Sequence, residues 1–68
     1  MEVLRQERDA AEIRLTVAEL AIVNNALNEI CHGIELPEFD SRIGAERAAA
    51  ERLLAGIGAL LRRLSAES

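Results

Sequence analysis

Sixty-eight residues with a formal net charge of −4 make one domain at most and a poor general binder of nucleic acid or of an anionic membrane. A core of this size supplies only about 3–5 kcal/mol without a disulfide, a metal or an oligomer. Cys31 is the only cysteine and His32 the only histidine, which excludes an intrachain disulfide and leaves too few ligands for a structural zinc site. Added stability is therefore expected from self-association or from a partner protein.

The chain is 50% hydrophobic, yet Phe39 is its only aromatic residue. The core must be aliphatic and rich in alanine. All eight basic residues are arginine, a composition typical of a GC-rich bacterial genome. The unpaired cysteine suits a reducing compartment. The charged first residues lack the apolar stretch of a secretory signal. The longest apolar run, residues 53–61, is nine residues, far short of a bilayer span. A soluble cytoplasmic protein is expected.

Residues 1–14 read as an N-terminal arm, helical or extended. Val3, Leu4, Ala10 and Ala11 fit helical spacing. Ile13, Leu15 and Val17 alternate with Arg14 and Thr16, a period of two. A lone strand there needs a partner, such as its symmetry mate. Residues 15–66 read as a single helical domain.

The first long helix is expected over residues 16–32. Thr16 and Glu19 have capping-box spacing, and Leu15 with Leu20 that of a hydrophobic staple. Gly33 is placed to end the helix, with Ile34 folding back on its last turn. Val17, Leu20, Val23, Leu27, Ile30 and Ile34 share one face, with Cys31 at its edge as a small buried hydrophobe. A short helix is expected over residues 37–43, entered through Pro37, made apolar by Phe39 and Ile43, and stopped by Gly44.

The second long helix is expected over residues 45–64. Ala49, Ala50, Leu53, Leu54, Ile57, Leu60, Leu61 and Leu64 cover one broad face. Gly56 and Gly58 each cost about 1 kcal/mol in a helix interior, which points to close approach of another backbone or to simple tolerance. The expected fold class is all-α: a helical hairpin with a short connecting helix, dimerising into a four-helix bundle. Ala48, Ala55, Gly56 and Ala59 form the candidate dimer-packing stripe. Charge supports pairing of segments. Residues 15–41 hold five acids and no base, while residues 42–68 hold five arginines and three acids.

The candidate interaction residues are Asn24, Asn25, Asn28, Glu29 and His32. Asn24 projects into the apolar arc, where one buried amide can fix register or oligomeric state. Asn25, Glu29 and His32 share a side, and Asn28 is four residues from His32. A carboxylate near an imidazole suggests a base or half a metal site. No nucleophile stands beside them, so a capped or solvated helix end is the plainer reading.

Residues 39–54 have the outline of a helix-turn-helix, with Arg42, Arg47 and Arg52 available for phosphates. Asp40 stands where a small apolar residue is needed, and Glu46 and Glu51 sit on the would-be recognition helix. No catalytic set, cofactor motif or metal motif is present. The expectation is a non-enzymatic, homodimeric protein-interaction module of regulatory, adaptor or toxin-neutralising type, without a membrane anchor. The alternatives are a nucleic-acid-binding regulator using residues 39–54 and a small-ligand site on helix 16–32.

Overall fold

The computed structural model describes residues 1–67. The chain is α+β rather than all-α: a two-stranded antiparallel sheet precedes three helices. An all-α four-helix bundle is therefore not the architecture of this chain. Strand β1 (Glu2–Gln6) pairs with β2 (Ala11–Arg14), with Glu2 opposite Arg14, Val3 opposite Ile13, Arg5 opposite Glu12 and Gln6 opposite Ala11. The register is interrupted between Val3 and Arg5, so Leu4 is an extra, bulged residue.

Of the alternating residues Ile13, Leu15 and Val17, only Ile13 lies in a strand; Leu15 precedes the Thr16 cap and Val17 opens the first helix. Pairing places opposite charges across the strands twice, at Glu2 and Arg14 and at Arg5 and Glu12, and matches Val3 to Ile13. Such cross-strand pairs are the unit of sheet stabilisation. The N–H of Glu7 donates to the carbonyl of Ala10 at 2.9 Å, closing a loop of Arg8 and Asp9. Among the described residues, Glu38 is the only non-glycine residue with positive φ. The loop therefore lacks the type I′ or II′ geometry that matches strand twist. All nine strand residues are exposed, and a lone two-stranded ribbon is marginal in water.

Helix α1 (Val17–Asn28) starts at a complete capping box. The Glu19 N–H donates to Thr16 Oγ1 at 3.1 Å, and the Thr16 N–H donates to Glu19 Oε1 at 2.9 Å. The helix continues as a wider π turn, Glu29–Gly33, closed by the Ile34 N–H donating to the Glu29 carbonyl at 2.9 Å. The left-handed glycine cap expected at Gly33 does not form, since Gly44 is the only glycine with positive φ among the described residues. The widened turn satisfies its carbonyls in another way, through Arg47.

Helix α2 (Phe39–Ile43) is entered through Glu38 at φ 56° and left through Gly44 at φ 84°. The Gly44 N–H donates to the Asp40 carbonyl at 2.9 Å, and glycine adopts this left-handed conformation without a Cβ penalty. Helix α3 (Arg47–Glu67) begins two residues after the expected position 45 and runs past 64. It lies against α1 as the second arm of a helical hairpin.

Cys31, Phe39 and Ala50 form the buried core, with Ile30, Leu36 and Leu54 packed around them. Leu20 is the other buried apolar residue among those described. Val17 and Leu53, expected on covered faces, are 57% and 56% exposed. The molecule measures 37 × 32 × 16 Å.

Candidate interaction surface

The β ribbon and the helical hairpin enclose an open groove of about 340 Å³. Leu4 and Ile13 line it from the strands, Leu15 and Leu20 from the start of α1, and Leu60 and Leu64 from the end of α3. Arg14 is the only charged residue in the lining. A concave, mostly apolar surface is the form that binding sites take.

Local signals place these side chains. Leu15 precedes the Thr16 cap and Leu20 sits one turn into α1, the positions of a hydrophobic staple. Leu60 and Leu64 are four apart on α3 and share a face. The bulge inserts Leu4 into β1 beside the Val3–Ile13 pair. The exposed apolar residues Met1, Val3, Leu4 and Ile13 gather on this ribbon, and clustered exposed apolar surface marks contact sites more than scattered residues do.

One ion pair ties the ribbon to the helices. The Met1 ammonium donates to Glu19 Oε2 at 2.6 Å. That hydrogen bond, with the backbone bond from Thr16, lowers the Glu19 carboxyl pKa from 4.5 to about 2. Glu19 thus serves two structures, the cap of α1 with one oxygen and the start of β1 with the other.

Arg47 acts at the opposite end of α1. Its Nη1 donates to the Cys31 carbonyl at 2.8 Å and to the Ile30 carbonyl at 3.5 Å. Its guanidinium lies 4.5 Å from the Phe39 ring centroid. A cation is thereby held at a helix C-terminus, where the dipole favours it, and over an aromatic face. Sequence reasoning placed Arg47 among possible phosphate contacts; the fold turns it inward to half-buried carbonyls.

The five polar residues proposed from the sequence separate. Asn24 is half-buried on the α3 side of α1. Its Oδ1 would lie 3.6 Å from a Cβ added at Gly58. Asn25, Asn28, Glu29 and His32 are exposed. Among the described residues no side-chain hydrogen bond or ion pair joins them. The Glu29 carboxylate folds over Gly33, with Cδ 2.6 Å from where a Cβ would stand. Gly33 thus makes room for Glu29.

Of the stripe proposed for dimer packing, Ala48, Ala55 and Gly56 are exposed and Ala59 is half-buried. Nothing lies within 4 Å of a Cβ built on Gly56, so no described backbone of the same chain approaches it closely. The groove was missed because its residues come from both ends of the chain. Of the alternating residues Ile13, Leu15 and Val17, only the first two line it.

The chain matches no protein-family model, no curated protein and no solved structure. Among the described residues no three of His, Cys, Asp and Glu are grouped to hold a metal ion. None of the described helices is long and apolar enough to cross a membrane.

Proposed function

We propose that this chain is a small protein-interaction module acting as a homo-oligomer, and that the groove beneath the β ribbon receives an apolar segment of a partner protein. The observation that carries this reading is the groove itself: of its six apolar side chains Leu4 and Ile13 are exposed, Leu15, Leu60 and Leu64 are half-buried, and Leu20 forms a buried floor. The exposed apolar residues beside it on the ribbon, Met1, Val3, Leu4 and Ile13, favour a covered state. The buried thiol of Cys31 suits a reducing setting and supports a cytoplasmic location. No enzymatic step is proposed. A nucleic-acid role for residues 39–54 is the weaker reading, because Arg47 is engaged by Cys31 and Phe39 and α2 is only five residues long.

Selection of a displayed random-peptide library on the purified protein tests the groove. Enriched peptides should carry two or three apolar anchors. Their affinity should fall at least about tenfold, or 1.4 kcal/mol, on the exposed substitution Leu4→Glu, with helicity unchanged. No enrichment, or equal binding by Leu4→Glu, overturns the reading.

A further inference from the structure

We propose that two copies of this chain join through their β2 edges, forming one four-stranded antiparallel sheet whose twofold axis passes beside Ile13. The proposal rests on the interaction-module reading and names a second copy as the occupant of the ribbon's free edge.

The hydrogen-bond phase of β2 fixes which backbone groups are free. The Glu7 N–H bonds to the Ala10 carbonyl, so Ala10 faces β1. Along a regular antiparallel strand the direction alternates residue by residue. Glu12 and Arg14 then face β1, while Ala11 and Ile13 present their N–H and carbonyl groups outward. The bulge lies in β1, where it blunts that edge as bulges do. The β2 edge is regular, and its four residues are exposed.

A twofold axis at Ile13 pairs each Ile13 with its symmetry mate as a hydrogen-bonded pair, the phase that its outward groups require. The same register sets Glu12 opposite Arg14 of the second copy, and Arg14 opposite Glu12. Within one chain Arg14 already faces Glu2, with Nη1 4.0 Å from Oε1, and Arg5 faces Glu12. The row across four strands therefore reads Glu2, Arg14, then Glu12 and Arg5 of the second copy: acid, base, acid, base. The symmetric row repeats it. The strands hold two acids and two arginines, a balanced set in a chain of net charge −4. On the opposite face the two Ile13 side chains meet, flanked by the two Val3 side chains. Because Ile13 also lines the groove, the pairing sets two grooves side by side. Four strands with an apolar stripe meet the size at which a sheet becomes stable, whereas two do not.

Paired charge reversals test the register while keeping every cross-strand pair within a chain complementary. In Arg5→Glu/Glu12→Arg the inter-copy contacts become arginine against arginine. In Glu2→Arg/Arg14→Glu they become glutamate against glutamate. Each double variant alone should dissociate at least about tenfold more readily than the wild type, as two attractive contacts turn repulsive. An equimolar mixture should form a heterodimer of near wild-type affinity, read by sedimentation and native mass spectrometry. In that heterodimer the arginine introduced at position 12 of one copy meets the glutamate introduced at position 14 of the other, and the second contact keeps its native Arg14 and Glu12. A wild type that stays monomeric at millimolar concentration overturns the proposal. So do double variants that dimerise as well as the wild type, and so does a mixture that stays monomeric. Failure here with groove-binding peptides still selected sinks the edge pairing alone; failure of both sinks the interaction reading as well.

Discussion

Replacing Arg47 by alanine should remove most of what holds the C-terminal end of α1 to the start of α3. Three contributions meet in one guanidinium. The hydrogen bond to the Cys31 carbonyl, 2.8 Å long and half-buried, belongs to the charge-assisted class worth about 1.5–3 kcal/mol. A cation at a helix C-terminus adds about 0.3–1 kcal/mol. The ring contact at 4.5 Å adds about 0.5–1 kcal/mol. They share one group and do not add fully, so about 2–3 kcal/mol is expected. Against a core that supplies about 3–5 kcal/mol, that is about 40% of the stability or more. Urea unfolding followed by far-UV circular dichroism should show the midpoint of Arg47→Ala well below the wild type. Arg47→Met, which keeps the apolar stem over Phe39, should lose nearly as much, and Arg47→Lys less. A change within about 0.5 kcal/mol for Arg47→Ala, the range of an ordinary surface substitution, would refute the assignment of Arg47 as the cap of α1.

Other predictions concern local signals. Thr16→Ala should cost about 1 kcal/mol by removing the N-cap acceptor. Gly56→Ala should stabilise by about 1 kcal/mol, because nothing lies within 4 Å of the added Cβ; destabilisation on thermal melting would reveal a second backbone packed there. Gly58→Ala should also stabilise, since its Cβ meets Arg62 Nη1 at 3.5 Å and Asn24 Oδ1 at 3.6 Å, ordinary contacts. Glu19, with its carboxyl held at about 2 in the folded chain against 4.5, favours folding while ionised. Its contribution is complete above pH 4.5 and is lost as pH falls through 2. Melting curves of wild type and Glu19→Gln should therefore converge across that window, and a constant difference from about pH 5 to about pH 2 would contradict the pairing with the Met1 ammonium.

The helical part was legible because its signals are local. Thr16 with Glu19 marked the start of α1, Gly44 the end of α2, and the apolar rows of residues 45–64 marked α3. Three things were not legible. The strands hold only nine residues between them, and their pairing depends on contacts up to twelve residues apart, from Glu2 to Arg14, so the alternation at Ile13, Leu15 and Val17 gave no partner. The end of α1 was assigned to Gly33, a local rule, whereas a distant arginine satisfies its carbonyls and the turn widens instead. The groove needs Leu4 and Leu64 on one surface, a juxtaposition that only the tertiary fold supplies. Asn25, Asn28, Glu29 and His32 lie exposed with no side-chain bond between them, and the exposed apolar residues of the ribbon gather elsewhere.

The most direct test of the ribbon as a working surface is amide hydrogen exchange at Ile13 as a function of protein concentration. The β2 phase leaves that N–H outward, so it should exchange rapidly in dilute solution. It should become protected in step with association as the concentration rises, while the Glu12 amide changes little. An Ile13 amide that exchanges at one fast rate at every concentration, or is protected even when dilute, would contradict the account.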